Sequence, residues 1–306
     1  MAKNLRKKAD IAIRPEMIIT GKWNRNAYIV KRKIGAGMIG TVYLCETKNR
    51  LAALKISEQA TSLIAEVNVL KSLNKVQDDR LGPFLLDVDD WETENGNVYS
   101  FYVMTYIKGT SMEKYVKRNG YEWIGVFLVQ MLDQLEKLHE SGWVFGDLKN
   151  DNILISDAPP MVQFIDVGGT TKIGRSIKEY SEFYDRAYWH LGTREAEPSY
   201  DLFAVVMVIL AIFYPDKFKR TADSRRLIIH KLRAIPELKL YNRSLQNAVL
   251  GKYETASQMK DELMQQVASR PMAAREEGKS KSAYRREAAA IAVIAGMYYM
   301  MSQILF

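Results

Sequence analysis

An α+β chain in two unequal lobes, a small strand-rich one and then a larger helical one, is predicted by three observations. Runs of β-branched and aromatic residues, broken by turn signals, fill the chain as far as residue 108. Apolar residues at helical spacing dominate from 109 to 268. A last stretch, 288–306, carries no charge at all. The composition agrees: 47% hydrophobic and 26% charged residues are enough for a sizeable core, and exclude wholesale disorder, collagen-like structure and a polytopic membrane protein. One cysteine, Cys45, excludes a disulfide scaffold and points to a reducing compartment. Three scattered histidines, His139, His190 and His230, have no zinc-site spacing.

Taken in order, residues 1–19 read as a basic extension. Arg14, Pro15 and Glu16 interrupt its apolar stretch, so it has no signal-peptide core. Strands are expected over 28–34, 41–46, 51–56 and 97–107. Between them Leu63, Val67, Leu70 and Leu73 recur at spacings that predict one helix. Further helices are expected over 123–139, 202–214 and 256–267, followed by a basic juxtamembrane linker at 269–287. A helix over 288–306 would be about 28 Å long, close to the thickness of a bilayer's hydrocarbon core. Lys279, Lys281, Arg285 and Arg286 precede it, which predicts a single-pass anchor with the body of the protein cytoplasmic.

Net charge is +8, and residues 1–33 hold ten basic residues against Asp10 and Glu16. Nine more lie within 216–243 against three acids. This asymmetry points to a polyanionic partner, either DNA bound without sequence preference or anionic phospholipid. A solvated surface that only confers solubility is the alternative.

The chemistry is concentrated in a few motifs. Gly35-Ala-Gly37-Met-Ile-Gly40-Thr-Val42 continues as a strand rather than a helix, so its glycines suit a loop between two strands that closes backbone amides over phosphates. Ala52-Ala53-Leu-Lys55 places a lysine on a buried strand, where it needs anionic partners. Glu66, bordering the inward face of the first helix, is the candidate carboxylate, although eleven residues is a short gap for that pairing. Asp147, Lys149 and Asn152 form D-x-K-x-x-N: a carboxylate to orient and deprotonate a hydroxyl, an ammonium to neutralise a transferring phosphoryl group, and an amide oxygen for Mg²⁺. Asp166 follows as a second metal-binding oxygen.

With these motifs in this order, the chain resembles the eukaryotic-like (Hanks-type) serine/threonine protein kinases over about residues 20–268. It looks closest to the membrane-tethered, YabT-type kinases of spore-forming bacilli. The resemblance implies a bilobal protein-kinase fold, ATP with Mg²⁺ or Mn²⁺ as cofactors, protein substrates, a role in sporulation, and self-association for trans-autophosphorylation. It implies a nucleotide site lined by Gly35, Gly37, Gly40, Val42, Ala53 and Lys55, with Met104 as gatekeeper and Thr105, Tyr106 and Ile107 as the hinge to adenine. Asp147 would be the base, Lys149 its partner, Glu66 the partner of Lys55, and Asn152 and Asp166 the metal ligands. Asp201 matches the acid that opens a central helix.

Three departures accompany the resemblance. Phe145-Gly146 replaces the His-Arg ahead of the catalytic aspartate, removing the usual charge partner of a phosphorylated activation segment. Val167 replaces the Phe of D-F-G, and no A-P-E is present, only Ala196-Glu197-Pro198 nearby. Two rivals are weighed against protein kinase activity. A pseudokinase-like scaffold for DNA or a partner is disfavoured because Lys55, Asp147 and Asp166 are all present. A small-molecule kinase is disfavoured by Lys149.

Overall fold

The computed structural model describes residues 13–37, 40–74, 82–157 and 159–269. They form two compact units, one of residues up to 74 with 83–106, the other of residue 82 with 107 onward. The basic stretch 1–12, nearly all of the predicted linker and the predicted span 288–306 lie outside the described residues. Among the described residues no helix is long and apolar enough to cross a membrane.

The first unit is a six-stranded antiparallel sheet with one helix. Its strands are β1 (Ile18–Thr20), β2 (Ala27–Ala36), β3 (Thr41–Thr47), β4 (Arg50–Ser57), β5 (Leu85–Glu92) and β6 (Val98–Thr105), in the order β1-β2-β3-β4-β6-β5. The helix α1 (Ala60–Asn74) buries Leu63, Val67 and Leu70, the stripe its spacing predicts. Two strands exceed the sequence expectation. β1 is only three residues long, and β5 is disguised by Asp87, Asp89 and Asp90. Those acids join the two edges of the sheet. The loop after β1 reaches β5, where Lys22 N donates to Asp90 O at 2.7 Å. Trp23 N and Asn24 N donate to the two carboxylate oxygens of Asp89 at 2.9 and 2.7 Å. Donated hydrogen bonds offset the burial of Asp89, and the enclosed interior is apolar, with Tyr28, Val30, Leu54, Phe101 and Val103 at its centre.

The second unit is mostly helical: α2 (Met112–Asn119), α3 (Trp123–Glu140), α4 (Pro198–Phe213), α5 (Ser224–Arg233), α6 (Asn242–Val249) and α7 (Ala256–Ala268). Short strands β7 (Thr110–Ser111), β8 (Trp143–Val144), β9 (Ile153–Asp157), β10 (Pro160–Phe164) and β11 (Thr171–Lys172) form two small sheets. α4 is buried from Tyr200 to Ile212, as an all-round apolar helix must be, and packs against α3, α6 and α7. It starts four residues before the predicted position because Pro198 occupies its first turn, where a missing N–H costs nothing. α2, α5 and α6 were not marked individually by the sequence. Ser111 and Asp223 cap the first two, their side chains accepting from Lys114 N and Arg226 N.

The basic stretch 216–243 is divided in its roles. Lys217 lies over the Phe183 and Tyr184 rings and Lys231 over Tyr214 and Phe218. Arg220 donates to Tyr188 O at 3.0 Å, Arg233 to Gln246 at 2.9 Å, and Arg243 pairs with Glu262 at 2.6 Å. Lys219, Arg225, Arg226 and Lys239 are exposed.

Candidate active site

In the first unit, strand register assembles one face. Gly35 lies opposite Val42, Val42 opposite Lys55, and Lys55 opposite Tyr102; the next row holds Leu44, Ala53 and Met104. Cross-strand partners share a face, so Gly35, Val42, Ala53, Lys55 and Met104 stand together. The glycine turn between β2 and β3 closes through Gly37 N, which donates to Gly40 O at 2.9 Å; Met38 and Ile39 lie outside the described residues. Any Cβ at Gly40 would overlap the carbonyl oxygen of Ile56, so that position requires glycine. Thr105 is fixed at the end of β6 by two bonds to Phe84: its N donates to Phe84 O at 2.9 Å, and its Oγ1 accepts from Phe84 N at 3.0 Å. Tyr106 is the last residue of the first unit and Ile107 opens the second part of the other.

Lys55 and Glu66 meet despite their short separation in sequence. Only Glu58 and Gln59 join β4 to α1, so the chain reverses at once. Glu66 then lies six residues into the helix, about 9 Å along its axis, beside a lysine near the end of the strand. Lys55 Nζ is 2.7 and 2.8 Å from the two oxygens of Glu66, and both residues are buried. Burial makes the pair interdependent, because either charge alone would be uncompensated.

In the second unit, Asp147, Lys149 and Asn152 lie on the loop between β8 and β9. Asp201, fully buried in the first turn of α4, holds that loop: it accepts from Phe145 N at 2.7 Å, Gly146 N at 3.0 Å and His139 Nε2 at 2.9 Å. Gly146 has φ +80°, and a Cβ there would come within 2.5 Å of Gly169 O. The departure from arginine therefore has a local physical reason: the left-handed backbone favours glycine, and the close approach of Gly169 O leaves no room for a Cβ.

Lys149 Nζ pairs with Asp147 Oδ2, and Ser181 Oγ donates to Asp147 Oδ1 at 3.2 Å. Asn152 Nδ2 donates to Asp147 O at 2.9 Å, which fixes the amide and directs its oxygen the other way. Asp166 is exposed, and its Oδ1 accepts from Gly168 N at 3.0 Å; Val167 beside it is buried. Among the described residues no cluster of three or more His, Cys, Asp or Glu could hold a metal. One carboxylate and one amide oxygen are hard donors that would suit a divalent cation taking its other oxygens from elsewhere.

The segment without A-P-E is held by two buried residues. Asp185 accepts from Ala187 N, Tyr188 N, Tyr200 Oη and Arg194, and Arg186 binds Thr193 O, Ser199 and Glu197. Ala196-Glu197-Pro198 thus leads into α4, with Glu197 pairing Arg186 at 2.6 Å. Ser181, Asp185, Arg186 and Tyr102 are the site residues that sequence analysis did not single out. Only Tyr102 carried a usable signal: it lies two residues before Met104 and hence on the same face of its strand.

The sequence model described as protein kinase domain matches residues 28–285. The serine/threonine-protein kinase YabT of Bacillus subtilis is 45% identical over 254 residues, covering 83% of this chain and 75% of that protein. The serine/threonine-protein kinase PknG of Mycobacterium leprae is 29% identical over 160 residues, 48% of this chain and 20% of that one. The structure of vaccinia related kinase 3 superposes with a TM-score of 0.62 at 15% identity, over 84% of this chain and 91% of that chain, which speaks for the fold alone. With its β-rich and helical lobes and its relatives, the chain belongs to the protein kinase domain family, as a bacterial Hanks-type serine/threonine protein kinase related to YabT.

Proposed function

We propose that this kinase uses Asp147 as its base, is held at the cytoplasmic face of a membrane by residues 288–306, and is stimulated by DNA or another polyanion. The observation that carries the first part is the Asp147 carboxylate, whose two oxygens face an ammonium and a hydroxyl. Bound with Mg²⁺ or Mn²⁺, ATP supplies the γ-phosphoryl group. Asp147 receives the proton of a substrate serine or threonine hydroxyl, and Lys149 balances the negative charge beside it. Lys55 would take the α- and β-phosphates while Glu66 fixes its direction. Gly35, Gly37, Gly40, Val42, Ala53, Met104, Thr105, Tyr106 and Ile107 would line the nucleotide site, and Asn152 and Asp166 would offer oxygens to the metal.

The polyanion reading rests on the exposed Lys219, Arg225, Arg226 and Lys239, together with the ten basic residues of 1–33. Gathering kinase molecules on one polyanion would favour trans-autophosphorylation. One experiment tests both parts: the full chain with labelled ATP and Mg²⁺, with and without duplex DNA, over a series of salt concentrations. Asp147→Asn should lower transfer by about 10²–10⁴-fold; wild-type turnover would refute the base. DNA affinity should fall with salt at a logarithmic slope of about −0.9 per neutralised phosphate. Neutralising Arg6, Lys7, Lys8, Arg225 and Arg226 should flatten that slope. Unchanged DNA binding in that variant would reassign the charge to lipid or to solubility.

A further inference from the structure

The Lys55–Glu66 pair has a third member. Tyr102 Oη donates to Glu66 Oε2 at 2.8 Å, the same oxygen that lies 2.7 Å from Lys55 Nζ. Relative exposure is 6% for Lys55, 2% for Glu66 and 2% for Tyr102. In the sheet Tyr102 is the register partner of Lys55 itself. The acid is thus carried by α1, while these two donors come from adjacent central strands.

The two donors differ in what they can hold. Lys55 has a flexible four-carbon stem, and its ammonium must also serve phosphates, so it cannot alone determine where Glu66 lies. Tyr102 is a rigid ring with two torsions, rooted in a strand bonded on both sides by β4 and β5. A hydrogen bond from it to a buried carboxylate is charge-assisted, and breaking it without replacement leaves part of that charge unsolvated. Displacing α1 therefore breaks a bond to a fixed point, whatever Lys55 is doing.

We infer that Tyr102 is a positioning residue that holds Glu66, and α1 with it, where Lys55 is aimed at the nucleotide. The inference rests on the proposed role of Lys55. Its consequence is that correct placement of the helix is built into the sheet of the first unit and needs no modification elsewhere in the chain.

Tyr102→Phe in the full chain tests this, because phenylalanine keeps the ring and its packing and removes only the hydroxyl. Expected are a roughly tenfold loss of kcat/KM for ATP, equivalent to about 1.4 kcal/mol, an unchanged KM for the protein substrate, and faster amide hydrogen exchange confined to residues 60–74. A packing role would leave all three at their wild-type values. Wild-type kcat/KM, or wild-type exchange over 60–74, overturns the proposal. The exchange measurement needs no turnover and so judges Tyr102 by itself. Failure of the underlying reading shows separately, as wild-type kcat/KM in Lys55→Ala.

Discussion

Replacing Gly146 with alanine isolates what the glycine ahead of Asp147 does. At φ +80° a non-glycine residue costs about 1–2 kcal/mol. The new methyl would also lie 2.5 Å from Gly169 O and 3.1 Å from Ile177 Cδ1. The first contact is with backbone, which cannot rotate away, and overpacking of this kind costs about 1–3 kcal/mol. The expected destabilisation is therefore about 2–5 kcal/mol, or less if the loop shifts. A shift moves Asp147, and misplacement by 1 Å costs about 10²-fold in rate. Gly142→Ala is the matched control: φ is +85° there, but nothing lies within 4 Å of the added methyl, so only the backbone cost applies. Urea unfolding and turnover with labelled ATP measure both quantities. Gly146→Arg, which reinstates the residue typical of the family, should behave like the alanine variant and should not create phosphorylation control. Equal losses in Gly146→Ala and Gly142→Ala, or wild-type turnover in the former, would refute the reasoning.

Acid should weaken the first unit through Asp87. Burial pushes its carboxyl up, but bonds from Tyr28, Asn26, Asn24 and Val88 N–H to the ionised form outweigh that and hold it below its ordinary value. A lowered folded-state value means stability that is present above the unfolded value, about 3.9, and is lost as pH falls through the folded one. Asp87→Asn should accordingly flatten the loss of stability below about pH 4, read by urea unfolding at a series of pH values; an unchanged acid limb would exclude Asp87 as its source. Autophosphorylation should fall on hydroxyls of 170–193 or on Ser280 and Ser282, mapped by mass spectrometry. Phosphatase treatment should change activity only modestly, and a large loss would mean that a cation other than one at position 146 reads the phosphate.

What the sequence determined by itself was everything carried by short-range order. The strands β2, β3, β4 and β6 were legible because alternation and turn residues are local, and α1 because its apolar stripe recurs within four residues. Asp147, Lys149 and Asn152 were legible as a chemical set because they lie within one loop. The division into a strand-rich and a helical unit followed from where one periodicity gives way to the other. β5 escaped because its acids face the loop after β1, more than sixty residues away in sequence, rather than solvent. The same holds at the site. Ser181 reaches Asp147 across 34 residues, Tyr102 reaches Glu66 across 36, and Asp201 reaches Gly146 across 55. No period or spacing encodes such bonds: they exist only once strands are in register and α4 is buried, and for Glu66 and Asp201 burial obliges the carboxylate to find its donors. The chain's residue types named the chemistry, and tertiary packing decided which groups hold those residues in place.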